Sequence, residues 1–339
     1  MAVRLTDVAS EAGVSLATAS RVLNGSARKP AEGIAERVRA AATKLGYFPN
    51  AQAQALARSS TQLIGLLVHD IADPYFSSIA KGVQRGLGDT GVQLLLSSTG
   101  SDTKLELSAL RSFMSHRTGA VILAGSRPVS GDEEMAAALE NYQSNGGAVA
   151  MVGQPLSVAG GIQIDNYGSA GLLAAELLRL GHRRFVVLAG NQQLVTAKHR
   201  AEGFISKLEK SGITPLLVKE GAFTREGGYL AMSDLLASGE LGLEDGQVCV
   251  VCVSDVMALG ALVALRERGV HVPRDVAIAG FDDIPTLADV VPSLTTVRLP
   301  LEEIGRLAGE MVLAGGEPKR MVIEGVPVIR QSTEVLHRQ

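Results

Sequence analysis

From Gln62 onward, short apolar runs alternate with stretches whose apolar residues recur at helical spacing. The runs Leu63–Val68, Gln93–Leu96, Ala120–Leu123 and Ala148–Val152 predict the strands of a parallel sheet, since a strand covered on both faces is apolar at nearly every position. The rhythm restarts at Gly161–Ile164 and continues through Phe185–Leu188, Leu216–Val218, Val248–Val253 and Val276–Ala279. Two such units in tandem predict two doubly wound α/β lobes facing a cleft, with ligands expected outside the carboxyl ends of the strands.

The first fifty residues follow a different period. In "LTDVASEAGVSLATASRVLNG" (Leu5 to Gly25), Ala9 lies four residues before Gly13, and Ser15 follows as an N-cap. From that cap, Ala19, Val22 and Leu23 form one apolar stripe, while Ala17, Thr18, Arg21 and Asn24 face elsewhere. A small residue at a helix contact, then a glycine able to turn sharply, predicts a helix-turn-helix, whose second helix enters a DNA major groove. The plainer alternative is any helical hairpin with a glycine turn. A third helix is expected over about Ile34 to Leu45, with apolar Ile34, Val38, Ala41, Ala42 and Leu45 and a stop at Gly46. Its start is left open, because Gly33 is a poor helix former. After Pro49, "AQAQALARSST" has helical propensity but is too short to be a stable helix alone, so a flexible linker fits it as well. The expected division is a headpiece over 1–48, a hinge or linker over 49–61, and a body over 62–339.

At 339 residues, with 46% hydrophobic and 20% charged residues, the chain fits two or three globular domains. No apolar run approaches bilayer length, and the N-terminus lacks a signal-peptide pattern, so a cytoplasmic protein with no membrane role is expected. The net charge of −3 is uneven. Eight basic and four acidic residues lie within the first sixty positions, leaving −7 for the remainder. A basic head on an acidic body suits a protein that offers only its head to phosphates. Cys249 and Cys252 sit within "VCVVCV", which reads as a buried strand, and residues three apart on a strand face opposite ways. A redox or zinc pair is therefore disfavoured. The chain has no P-loop, no G-x-G-x-x-G after a strand, no G-x-S-x-G and no H-E-x-x-H. Its six histidines do not cluster, and His116, His182 and His199 fall in helical patterns as ordinary exposed residues. An enzyme, a cofactor and a metal are not expected.

The segments "DVASEAGVS", "TASRVLNG", "LGYFPN", "LIGLLVHDIADPYFSSIAKGV", "IDNYGSAG", "LGHRRFVVLAG", "HRAEGF", "SDVMALGAL", "VPRDVAIAGFDD" and "PSLTTVRLPLEEIG" run co-linearly through the chain. In that order they resemble the lac-repressor/galactose-repressor family of bacterial transcription regulators. The resemblance implies an all-α headpiece on a two-lobed, periplasmic-binding-protein-like body, with crossovers near Gly161, Val291 and Arg320. Lobe one would then hold 62–161 and 292–320, and lobe two 162–291 and 321–339. It also implies a homodimer on a palindromic operator. No heptad segment follows "PVIRQST", so a dimer of dimers is not expected.

On the DNA side, the resemblance places Leu16, Ala17 and Arg21 against bases. Arg21 is the sharpest candidate, since arginine fits the guanine O6/N7 edge bidentately. Ser15, Thr18, Ser20 and Asn24 are expected on phosphates, with Arg4 and Thr6 at the start of the first helix also on the DNA side. Arg4 departs from the small hydroxylated residue usual there. Ala53 and Leu56 belong to the hinge, and Leu56 matches the family's minor-groove wedge. The effector candidates are Tyr75, Phe76, Asp165, Arg200, Phe223, Ser254, Asp255 and Asp282. Carboxylates and an arginine around aromatic rings suit a polyhydroxylated ligand. Tyr75 and Phe76 also read as ordinary core, and Asp165 as the cap of a helix near Asn166. Asp73, Gly153 and Ser254 depart from the family's usual residues. Leu194 removes the arginine of a purine-binding relative, which favours a sugar or polyol over a purine. The function so implied is a repressor switched by a small molecule. The alternative is a sugar-binding receptor without DNA binding, which the basic head and the missing secretion signal disfavour.

Overall fold

The computed structural model describes residues 3–24, 31–48, 62–315 and 319–335. Ala53 and Leu56 fall outside them, as does the side chain of Asn24. The chain divides into two compact units, Met1–Gln62 and Leu63–Gln339.

In the first unit, helices α1 (Leu5–Glu11), α2 (Leu16–Asn24) and α3 (Glu32–Leu45) close over Val8, Ala9, Ala12, Ala19 and Val38. Gly13 makes the turn between α1 and α2 at φ +63°, a backbone state that costs other residues a steric clash. Ser15 then caps α2, its hydroxyl oxygen accepting from the Thr18 amide at 3.1 Å. Helix α3 starts two residues before Ile34. Glu32 lies in its first turn and favours the helix dipole there, which offsets part of the poor propensity of Gly33. Gly46 ends α3 in the left-handed conformation.

The second unit holds two parallel sheets. One is formed by β1 (Leu63–Val68), β2 (Gln93–Ser98), β3 (Ala120–Gly125), β4 (Ala148–Gly153), β5 (Gly160–Asp165) and β11 (Arg320–Glu324), in the order β11-β5-β4-β3-β1-β2. The other is β7-β6-β8-β9, from β6 (Phe185–Gly190), β7 (Leu217–Glu220), β8 (Val248–Cys252) and β9 (Val276–Ala279). Helices α4 (Pro74–Leu87), α5 (Thr103–Ser115), α6 (Glu133–Ser144) and α11 (Leu301–Ala314) belong with the first sheet. Helices α7 (Asn166–Arg179), α8 (Val195–Lys210), α9 (Arg225–Ser238) and α10 (Asp255–Glu267) belong with the second. A short antiparallel ladder joins β10 (Thr296–Arg298) to β12 (Val326–Val328).

The run at Gly161–Ile164 does not open the second lobe. It is β5, paired in the first sheet between β4 and β11. Gly161 crosses β4 so closely that a β-carbon there would overlap the Met151 carbonyl oxygen. The first crossover therefore follows Asp165 rather than Gly161. The second runs along β10 rather than near Val291, and the third follows Glu324 rather than Arg320. Cys249 and Cys252 are buried free thiols, and burial pushes both thiol pKa values up, which leaves them inert. His182 is buried rather than exposed. Its Nε2 lies 2.9 Å from the Thr333 carbonyl oxygen, and burial pulls its pKa down.

Candidate functional site

Two surfaces gather the candidate residues. On the head, α2 buries Ala19 and turns outward Leu16, 48% exposed, together with Ala17 and Arg21. Ser15 is exposed, Thr18 and Ser20 are half-buried, and the Ser15 and Thr18 hydroxyls bond each other at 2.8 Å. Thr6 and Arg4 are exposed at the start of α1. Arg4 is its N-cap residue through the backbone alone, its N–H donating to Asp7 at 2.8 Å.

The second surface is a cleft of about 570 Å³ at the carboxyl ends of the two sheets. From the first lobe come His69, Asp73, Tyr75 and Phe76; from the second come Arg200, Phe223, Ser254 and Asp282. The Asp73-Pro74 pair explains the local geometry of the first wall. Asp73 caps α4 by accepting from the Tyr75 amide at 2.9 Å, and Pro74 takes the first helical position, where it needs no donor. Tyr75 and Phe76 then meet edge to face, with ring centroids 4.9 Å apart. Burial pushes the Asp73 carboxyl up and holds the Tyr75 phenol neutral.

Arg200 fixes the opposite wall. It is 2% exposed and spends each nitrogen of its guanidinium on a different partner. Nη2 donates to Asp282 at 2.7 Å, Nε to Asn166 at 2.8 Å and Nη1 to the Val253 carbonyl at 2.8 Å. Its planar group lies 3.8 Å over the Phe281 ring. Burial pushes the Asp282 carboxyl up to about 6, against the pull of the Arg200 guanidinium beside it. A rigid carboxylate and guanidinium flanked by aromatic faces can bind vicinal hydroxyls bidentately and stack on the apolar face of a ring.

Two of the expected effector residues stand outside this lining. Asp165 ends β5 in the first sheet and caps α7, its Oδ1 accepting from the Gly168 amide at 2.9 Å. Asp255 begins α10 but is sealed beneath the cleft. Its Oδ1 accepts from the Thr296 hydroxyl at 2.6 Å and its Oδ2 from the Ile284 amide at 3.0 Å. His69 was not singled out from the sequence. It is buried in the first wall, with Nε2 3.3 Å from Glu106. Glu106 in turn accepts from Arg127 at 2.7 Å, and Arg127 forks onto Asp132 at 2.5 and 2.8 Å. Ser126, after β3, and Gln154, after β4, meet the second lobe at Thr196, whose amide donates to the Ser126 hydroxyl at 3.0 Å and whose hydroxyl accepts from Gln154 at 2.9 Å. These partners are far apart in sequence, and no local spacing marks them.

Burial, and then the charge of Asp282, push the Asp255 carboxyl up to about 7. A carboxyl whose folded pKa lies above its unfolded value favours the fold at low pH. That contribution is present below about pH 4 and is lost as pH rises through 7. Asp255→Asn keeps the shape and removes the charge. Melting temperatures at pH 5 and pH 8 should therefore fall less in Asp255→Asn than in the wild type. An equal fall in both would show that Asp255 does not titrate in this window.

The profile of bacterial regulatory proteins of the lacI family matches residues 4–50, and that of the periplasmic binding protein-like domain matches residues 174–333. The HTH-type transcriptional regulator GalR of Escherichia coli is 34% identical over 314 residues, covering 91% of this chain and 88% of that protein. The ribose operon repressor of Bacillus subtilis is 30% identical over 309 residues, covering 91% and 90%. The crystal structure of the lac repressor dimer bound to operator and the anti-inducer ONPF superposes with a TM-score of 0.83 at 26% identity, covering 99% of this chain and all of that one. With a helix-turn-helix head, a two-sheet body and relatives aligned along nearly its whole length, the chain belongs to the lacI family of bacterial regulatory proteins.

Proposed function

We propose that this chain is a sequence-specific DNA-binding repressor whose operator affinity is switched by a small polyhydroxylated molecule, a sugar, sugar derivative or polyol. The observation that carries this reading is the buried Arg200–Asp282 pair at 2.7 Å, facing Tyr75 and Phe76 across an open cleft, in a chain that also presents α2 on a helix-turn-helix head. The pair is already satisfied by protein partners, so it offers hydrogen bonds of fixed direction rather than a bare charge. That favours a neutral, hydroxyl-rich ligand over a strongly ionic one.

On the head, Arg21 reads a guanine, while Leu16 and Ala17 meet thymine methyls and groove shape. Ser15, Thr18, Ser20, Asn24, Arg4 and Thr6 serve phosphates and register. Ala53 and Leu56 act in the hinge, Leu56 as a minor-groove wedge. The protein works as a homodimer on a palindromic operator in the cytoplasm. Among the described residues no helix is long and apolar enough to cross a membrane. A ligand that binds one arrangement of the lobes more tightly shifts the population toward it, and operator affinity follows by its differential binding, typically about 1–3 kcal/mol.

The test uses a palindromic duplex selected in vitro by the full chain. Arg21→Ala should weaken binding by about 1–3 kcal/mol and relax the preference at one symmetric base pair. Equal weakening on every duplex would make Arg21 a phosphate contact. Retention of the duplex by a chain lacking residues 1–61 would remove the repressor reading.

A further inference from the structure

Two neighbouring carboxylates after β9 face opposite ways. Asp282 turns into the cleft and meets Arg200 at 2.7 Å. Asp283 does not line the cleft. Its Oδ2 accepts from Arg298 Nε at 2.6 Å and its Oδ1 from Arg330 Nη2 at 2.7 Å. Arg298 ends β10, which carries the chain out of the second lobe toward α11 on the first sheet. Arg330 follows β12, which carries it back from β11 to a turn packed on β9. One carboxylate therefore bonds an arginine at the end of β10 and another just beyond β12, on two of the three segments that cross between the lobes.

The backbone ties the same turn to the outgoing strand. The Asp282 amide donates to the Val297 carbonyl at 2.9 Å, and the Leu299 amide donates back to the Asp282 carbonyl at 3.2 Å. The Asp283 amide reaches the Thr296 hydroxyl at 3.3 Å. Arg330 adds a bond from Nη1 to the Leu294 carbonyl at 2.8 Å. Asp282 and Asp283 stand at φ +121° and +56°, the left-handed half of the map that ordinary residues avoid. Consecutive non-glycine residues in that region persist only where surrounding bonds over-determine them, and such strain gathers at switch regions. The Asp283 and Arg330 side chains are 11% and 22% exposed, so that pair is partly sheltered from solvent, whereas Arg298 is 59% exposed and its pair is open to screening by solvent and salt.

We propose that Asp283 is a positioning residue of the effector response: it touches no effector, and by holding Arg298 and Arg330 together it fixes the angle between the lobes, while Asp282, one residue away, reads the cleft. This rests on the regulator reading given above. A displacement of Asp282 by a ligand turns the shared peptide between the two residues. The clasp must then follow or resist, and either outcome is felt by both crossing strands at once. Two discrete arrangements of the clasp would give the cleft a direct hold on lobe closure.

The test measures the lobes directly and needs no effector. Spin labels on cysteines introduced at Lys104 and Glu209, both exposed, report the distance from α5 to α8 in the full chain. The buried Cys249 and Cys252 stay unlabelled. Pulsed dipolar spectra are compared for wild type, Asp283→Asn and the double variant Arg298→Gln/Arg330→Gln. The selected duplex is titrated against each by gel shift. Both variants should broaden the distance distribution or add a second population, with unchanged far-UV circular dichroism. Both should also change operator Kd by about five-fold or more. Wild-type distances in both variants would overturn the proposal. So would broadened distances with unchanged operator affinity, because the clasp would then hold the lobes without serving the response. If the wild type retains no duplex, the regulator reading falls, and the distance comparison still decides whether the clasp sets the lobe angle.

Discussion

Replacing Asp282 with alanine should cost about 3–5 kcal/mol of stability and abolish effector binding in the same step. The cost follows from what is left behind. Arg200 cannot reach water, and its charge would keep only the Asn166 side chain, the Val253 carbonyl and the Phe281 face. Neutral acceptors do not balance a buried guanidinium as a carboxylate does. The backbone adds to the loss, because alanine tolerates φ +121° less well than aspartate. Asp282→Asn is the milder control, since an amide oxygen still accepts from Nη2. Arg200→Met on the alanine background removes the stranded charge and should recover part of the stability. Chemical denaturation of wild type, Asp282→Ala, Arg200→Met and the double variant closes a double-mutant cycle. A loss below about 1 kcal/mol in Asp282→Ala, the size of an exposed pair, would mean that Arg200 finds water and that the wall is not rigid.

The residues of this site differ in how far the sequence marks them. The strands are legible because a run such as Leu63–Val68 carries its burial in its own composition, and the structure buries five of those six positions. Arg200 and Asp282 stand out through the motifs that place them at strand and helix ends. Asp165 does not, because an apolar run announces a strand without naming its sheet, and only the pairing of β5 with β4 and β11 decides its side. Asp255 misleads for a related reason. It adjoins Ser254, which does line the cleft, but the first turn of α10 rotates the next side chain inward to Thr296 and Ile284. His69 is silent because its meaning lies in Glu106 and Arg127, brought up by separate elements. Non-local pairing is the part of a site that periodicity cannot express.

Gly260→Ala should destabilise the body by about 3 kcal/mol or more and loosen the cleft with it. Helices α9 and α10 pack backbone to backbone. A β-carbon on Gly260 would overlap the Arg225 carbonyl oxygen and stand 2.8 Å from the Tyr229 amide nitrogen, while one on Gly228 would overlap the Met257 carbonyl oxygen. Main-chain atoms inside a helix cannot rotate aside as a side-chain end does, so the two axes must separate. Both helices begin at the cleft: Thr224 and Arg225 at the start of α9 line it, as does Ser254, the cap of α10. Separation therefore moves binding groups as well as core. Gly33→Ala on the head is the opposing control. It lies in α3 with nothing within 4 Å of the added carbon, so it should gain a few tenths to about 1 kcal/mol through helix propensity and the restricted unfolded chain. Because the two units need not unfold together, amide hydrogen exchange reads each separately. Protection should fall across α9 and α10 in the first variant and rise in α3 in the second. Wild-type protection in Gly260→Ala would show that the helices yield without cost, and the close packing would not be what holds the second wall of the cleft in place.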